Sequence, residues 1–585
     1  MTGAEYIAEF LSQRNIAHAY LVTGGACAFI VDAIGSHPKL KYICCQHEQS
    51  AAMAADAVWR VDPMQVGVTV ATSGPGATNL LTGIGCSYFD SIPSIHITGQ
   101  VNKAESANYM GADVRQAGFQ ETDIVEIVKP ITKYAVQIDS IESLKRELIK
   151  AYNIAITGRM GPVLIDVPMN IQKQNIEGPI EYHAPEAIGF SKEMDIIPKL
   201  KEDLRKLLST SERPLVLFGA GVGLAGAANE VIQWLETQKV PFVSSWNAAS
   251  FFNHDSPDYY GNIGVYGNRG GNYIIQNCDT LLVMGSRLDN RQRSGNALSF
   301  APEANVFVID VDGEELKKYE QDGYKSAQLN LCNIPKVLEG LTTPSISSAW
   351  RNYLDEMKQR YFGKDISTFA EEQGALSPYQ VVQRLNTLMD PDAIVAMETG
   401  ANLCWMYQIF HRTDQIIFAP GGMSPMGYAL PAAIGSALTA PEKQIFCIAG
   451  DGGFQMNIQE LQTLKYHDLD IKIVIFNNGG YGMIKQFQDS YFDSRYEATG
   501  KGYSVPEFEG IVKAYGLQYK RINHVEDITK DLLVSGAIVL EIMLHPNTLI
   551  EPKLEMGRPI HDQFPYVSDQ EFKEANRFVH YDRKN

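Results

Sequence analysis

Residues 444–457 read QIFCIAGDGGFQMN, and residues 471–483 read IKIVIFNNGGYGM. Each is a short, continuously apolar run that stops at a glycine-rich turn. A strand with one wet face would alternate; these do not, so other elements cover both faces. That pattern predicts a parallel sheet with helices on either side. The rhythm extends back to DAIVAMETG (392–400) and forward to AIVLEIML (537–544). Helical stretches are expected at Pro431–Leu438 and Ile458–Lys465. Asn457, with Glu460 three residues on, gives the second a start signal.

Working outward, the same alternation recurs twice. Residues 1–175 carry AYLVTGG, KYICCQ, QVGVTVATSG, PSIHITGQ and GPVLIDVP, with helices near Ala28–Ile34, Gln49–Trp59 and from Ala77. Residues 193–341 carry RPLVLFGAGVGLAG, VPFVSSWN, CDTLLVMGSRL and ANVFVIDVD. The Pro/Glu/Lys-rich stretch 172–192 reads as a linker. The expected fold is α/β, with three doubly wound parallel-sheet domains at 1–175, 193–341 and 376–550. The charge-rich tail 551–585 is expected to drape over the surface. The first and third blocks share size and rhythm without a residue-level repeat.

Composition agrees. The 585 residues leave room for three to four domains at about 150 residues each. Hydrophobic residues make up 45% and charged residues 20%, a globular mixture. The net charge of −18 argues against nucleic-acid and anionic-lipid partners, which need a basic face. The eight cysteines form no CxxC pair and are expected as free thiols. No signal peptide and no apolar run of about 18 residues is present, so a cytoplasmic location is expected.

The chemistry concentrates in the turns quoted first. Asp451 offers a carboxylate, Asn478 an amide oxygen and Gly480 a bare backbone carbonyl. These few hard oxygens suit Mg²⁺ that also takes oxygens from a phosphate. The glycines Gly450, Gly452 and Gly453 let backbone approach that phosphate, and a helix start there favours anions. Either motif alone fits an ordinary βα turn; the pair together is the signal.

GDG followed at this interval by NN resembles the cofactor fingerprint of thiamine-diphosphate enzymes. QHEQSAAMAAD around Glu48, ATSGPGATNLLTGI, ITGQV, GFQETDIVE, GPVLIDVP and GGMSPMGYALPAAIG resemble the large subunits of acetolactate (acetohydroxyacid) synthases. The likeness runs over nearly the whole chain, in the order pyrimidine-binding, central and diphosphate-binding domain. It implies that Glu48 contacts the aminopyrimidine of the cofactor and that Met426 wedges the cofactor into its bent form. Ser424, usually Gly, would contact the 4′-amino group through its backbone. Tyr481, Gly482, Met483 and Ile484 would complete the diphosphate side, with Asp451, Asn478 and Gly480 holding Mg²⁺. Gly25, Phe119 and Gln120 match residues near the reacting carbons. Arg287, Asp289 and Arg291 in GSRLDNRQRSG match the segment that contacts a structural FAD. Gly219 and Gly221 in GAGVGLAG are weaker candidates, since a plain βα turn is as good a reading.

The resemblance implies a carboligase that decarboxylates pyruvate and transfers the two-carbon unit to an acceptor ketone. It also implies a homodimer or homotetramer, with Glu48 and the diphosphate site supplied by different copies. The acceptor side departs from the family. Val22–Thr23 replaces Tyr-Pro, the segment 102–118 is longer, and Phe487 stands where those enzymes have Trp. GNRGGN (267–272) looks more like the branch that adds the unit to nucleotide-linked 4-keto sugars, as in yersiniose synthesis. Pyruvate oxidase is a further alternative. A plain 2-keto-acid decarboxylase is less favoured, because no histidine lies between Gly99 and Lys133.

Overall fold

A computed structural model describes residues 1–111, 113–177, 193–343, 346–363, 366–534, 536–581 and 583. Its named strands form three six-stranded sheets. The first holds β1 (His18–Leu21), β2 (Lys41–Cys44), β3 (Gly67–Ala71), β4 (Ser94–Gln100), β5 (Tyr134–Gln137) and β6 (Val163–Pro168), in the order β2-β1-β3-β4-β6-β5. The second holds β7 (Pro214–Phe218), β8 (Phe242–Ser244), β9 (Tyr259–Asn262), β10 (Thr280–Met284), β11 (Asn305–Asp310) and β12 (Lys325–Gln328), in the order β12-β11-β10-β7-β8-β9. The third holds β13 (Ile394–Met397), β14 (Ile416–Phe418), β15 (Ile445–Gly450), β16 (Ile471–Asn477), β17 (Gln518–Ile522) and β18 (Ile538–Met543), in the order β14-β13-β15-β16-β18-β17. Every pairing between them is parallel.

The first and third sheets therefore have one topology, although their residues show no repeat. In doubly wound sheets, ligands sit beyond the strand C-termini where the winding reverses. Those reversals lie between β1 and β3, between β7 and β10, and between β13 and β15.

Packing of the units explains the composition of helix Glu48–Val61. Its residues Ala51 to Ala57 are buried against helix Ala429–Thr439 of the third unit. A Cβ at Gly435 would lie 2.2 Å from the Ala54 carbonyl oxygen, so only small residues permit this approach. Asp56, fully buried in the same helix, accepts from Arg60 Nε (2.7 Å), Ser87 Oγ (2.9 Å) and the Tyr428 hydroxyl. Arg60 also donates to Asp90 (2.8 Å). An ion pair this deep is stable only because each charge is fully hydrogen-bonded.

Two expectations change. The tail is not a surface drape: Leu554, Ile560, Phe572 and Ala575 join the core of the second sheet. Arg269 of GNRGGN, also buried, donates to the carbonyls of Gln563 (2.9 Å) and Pro565 (2.8 Å), so that stretch anchors the tail. The linker stretch begins inside helix Met169–Lys173, and its residues 178–192 lie outside the described residues. None of the eight cysteines is in a disulfide, and Cys44 and Cys332 are exposed. Among the described residues, no helix is long and apolar enough to cross a membrane.

Candidate active site

At the reversal of the third sheet, β15 ends at Gly450 and a helix begins at once with Asp451 rather than after Gly453. Asp451 is buried, and its Oδ2 accepts from the backbone N–H of Asn478 and of Gly479, each at 3.0 Å. Burial pushes its carboxyl above the usual range, against the pull of these hydrogen bonds. The Asn478 side-chain amide lies 2.7 Å from Gly480 O and 3.1 Å from Asp451 Oδ2: with its NH₂ turned there it donates to both, and with its oxygen turned there it crowds two other oxygens, as around a bound cation. In the second orientation a carboxylate, an amide and a carbonyl oxygen lie together as a cation's ligands do. Ligands about 2.1 Å from an octahedral Mg²⁺ lie about 3 Å from one another, so the donor set and spacing fit that ion.

The glycines here answer to neighbours as well as to any phosphate. A Cβ at Gly453 would lie 1.6 Å from Glu398 Oε1, and one at Gly452 would lie 2.4 Å from the Tyr481 ring. At Gly482 it would meet Asn478 Nδ2 at 2.4 Å. Gly450 is the open position, with Asn402 at 3.5 Å as its nearest neighbour. Met483 packs against the core, whereas Ile484 is exposed.

Glu398, at the end of β13, escaped the sequence reading. It is buried and accepts from Gly427 N–H (2.7 Å) and Gly450 N–H (3.2 Å). One carboxyl therefore ties the loop that carries half-buried Met426 to the GDGG turn. Burial pushes it up to about 8, with Asp451 adding to the shift. Its only advance signal was its place in METG at a strand end. Ser424 has φ +50°, the left-handed region that favours Gly. Its Oγ donates to Thr399 Oγ1 (2.9 Å). Asp90 holds the same loop by accepting from Gly421 (2.9 Å) and Gly422 (2.7 Å) N–H.

The matching end of the first sheet gathers another group. Glu48 begins its helix, accepts from Asn79 Nδ2 (2.9 Å) and lies 3.2 Å from where a Gly76 Cβ would be. Gly25 is exposed with open space about it, beside half-buried Val22 and exposed Thr23. Gln120 adopts φ +60° against Gly74, whose own φ is +60°. Phe119 is 83% exposed. Among the described residues, Glu48 and the Asp451 group share no hydrogen bond.

At the reversal of the second sheet, a Cβ at Gly219 would lie 2.2 Å from Gly285 O, and one at Gly221 2.9 Å from it. The two turns touch only because both are glycine-rich. They edge a cavity of about 1030 Å³ between the three units, at the upper end of ligand-pocket sizes. Arg287, Asp289 and Arg291 line it, and so do Arg159 and Asp310, which the sequence did not single out. Asp289 caps the short helix Asn290–Arg293, accepting from Arg291 N–H at 2.9 Å. Burial pushes Asp310 up to about 6.

Three reversal points, a phosphate-sized glycine turn with a hard-oxygen trio, and a carboxylate on the matching sheet define a cofactor-dependent α/β enzyme. Models of the thiamine pyrophosphate (thiamine diphosphate) enzymes match all three units: the N-terminal domain over residues 1–127, the central domain over 202–327 and the C-terminal domain over 398–537. The chain is 31% identical to the acetolactate synthase isozyme 2 large subunit of Escherichia coli over 529 residues, covering 90% of this chain and 92% of that one. It is 31% identical to the acetolactate synthase of Arthrospira platensis over 582 residues (96% and 97%). It is 33% identical to a probable acetolactate synthase large subunit of Methanocaldococcus jannaschii over 568 residues (93% and 92%). The chain belongs to the acetolactate synthase large-subunit family, and is a thiamine-diphosphate-dependent enzyme of that type.

Proposed function

We propose that the enzyme decarboxylates pyruvate and joins the two-carbon unit to an acceptor ketone, with Mg²⁺ and a structural FAD as further cofactors. The observation that carries this is the oxygen trio of Asp451, Asn478 and Gly480 beside a turn with room at Gly450. Asp451, Asn478 and Gly480 would hold the ion, and the GDGG turn the diphosphate. Thiamine diphosphate, when bound, supplies the carbanion stabilisation that decarboxylation requires. Glu48 holds the proton relayed to the aminopyrimidine, and Met426, fixed through Gly427 and Glu398, supports the bent cofactor. The cavity edged by Gly221 and lined by Arg287, Asp289 and Arg291 has the size for a dinucleotide.

Exposed Phe119 and open Gly25 support completion of the site by a second copy, whose Asp451 group would face Glu48. The acceptor is either a second 2-keto acid, giving acetolactate, or a larger ketone. Phe487 favours the larger one: it is 36% exposed on helix Gly482–Tyr491, packed on Tyr491 with ring centroids 4.7 Å apart. A nucleotide-linked 4-keto sugar is the alternative, although GNRGGN serves the tail here and so lends it little support. Purified enzyme given pyruvate alone, then pyruvate with 2-ketobutyrate or a 4-keto sugar nucleotide, should yield a branched hydroxy ketone identified by product mass. Oxygen consumption matching pyruvate loss would instead favour an oxidase.

A further inference from the structure

We propose that Tyr503 is the positioning residue of the metal site: its phenol fixes the rotation of the Asp451 carboxylate so that the other oxygen faces Asn478 and Gly480. This rests on the reading of Asp451 as a metal ligand. Tyr503 OH donates to Asp451 Oδ1 at 2.8 Å, which leaves Oδ2 on the side of the Asn478 amide, 3.1 Å away. Gln455 Nε2 steadies the arrangement, donating both to Tyr503 OH and to the Asp451 carbonyl, each at 3.2 Å. The Tyr503 ring lies against Tyr481, centroids 4.3 Å apart. A Cβ at Gly452 would come within 3.1 Å of the Tyr503 hydroxyl, so the glycine turn is shaped around this phenol.

Tyr503 belongs to a segment that is pinned to the helix bearing Phe487. Thr499 Oγ1 donates to Gln488 Oε1 (2.6 Å), and Gln488 Nε2 donates to Glu497 O (2.9 Å). Thr499 O would lie 2.9 Å from a Cβ at Gly480, so the same segment packs closely on Gly480. Ligating carboxylates that lose a supporting hydrogen bond typically lose affinity for their metal by 10- to 100-fold.

The test is a Mn²⁺ titration of the full-length, chelator-treated enzyme with saturating thiamine diphosphate, read as free Mn²⁺ by electron paramagnetic resonance. Tyr503→Phe keeps the ring and removes the hydroxyl. It should raise the Mn²⁺ dissociation constant about tenfold and leave the metal-free melting temperature in place. Gln455→Ala should shift affinity in the same direction by less. Unchanged or tighter Mn²⁺ binding by Tyr503→Phe overturns the proposal; tighter binding would mean that the phenol competes with the ion. Asp451→Ala separates the two readings. If it binds Mn²⁺ as the parent does, the metal assignment fails and takes this proposal with it; if it does not, the result for Tyr503→Phe decides alone.

Discussion

The first and third sheets wind in the same order, yet their reversal points are built from opposite materials. Between β1 and β3 the turns are small and open. Gly24 packs against Thr72, Gly25 faces free space, and Glu48 reaches the site from a helix start, steadied by a side-chain amide. Between β13 and β15 the turns are crowded and lined by carboxyls, with Glu398 and Asp451 both buried and both held by backbone N–H groups. One fold thus offers a loosely held carboxylate at one end and a rigid oxygen cluster at the other. A proton relay needs a group that can exchange with its surroundings, whereas a metal seat needs fixed oxygens.

The largest expected effect probes the first end. Glu48→Gln conserves volume and the contact with Asn79, so fold and cofactor binding should persist. Turnover should fall by about 10²–10⁴-fold, the usual worth of a positioned proton-transfer group. Exchange of the cofactor C2 proton, followed by NMR, should slow in parallel; exchange at the parent rate would remove Glu48 from the relay and erase the contrast between the two ends.

Asp451→Ala probes the second end. Cofactor affinity in the presence of Mg²⁺ should drop by about 100-fold or more, beyond what loss of an outer hydrogen bond causes. Calorimetric titration measures this. Equal affinity in variant and parent would make Asp451 a plain turn residue. A third test concerns the proposed acceptor. Phe487→Trp should raise the preference for 2-ketobutyrate over pyruvate about tenfold, within the range that one pocket contact provides, and competition between the two keto acids reads it directly. A parent that already prefers 2-ketobutyrate strongly would contradict the use made of Phe487.

The smallest effect is on stability. Glu398 releases its proton near 4.5 when unfolded and near 8 when folded. Between those values the unfolded chain gives up a proton that the folded chain keeps, so this group's stabilising share is complete below pH about 4.5 and is gone by pH about 8. Melting of the metal-free enzyme should therefore decline across that window, and Glu398→Gln should flatten the decline. A variant with the parental slope would show that the burial of Glu398 is not what sets it.

The sequence by itself determined the fold class and the cofactor family. Continuously apolar strands that end in glycine turns can pack only as covered parallel strands, and the GDG and NN turns place their oxygens through local backbone geometry. It also marked Gly221, Arg287, Asp289 and Arg291, because those residues lie close together in two short stretches. What tertiary structure alone decided is whatever joins residues far apart in the chain. Glu398 and Asp451 meet only because β13 and β15 are neighbours, Tyr503 reaches Asp451 from beyond helix Gly482–Tyr491, and Asp310 and Arg159 come from different units onto one cavity. The shared winding of the first and third sheets was likewise invisible, since strand order depends on crossovers that leave no local residue pattern. The tail was misjudged for the same reason: its few apolar residues look sparse along the chain, and only the core of the second sheet supplies what they bury against.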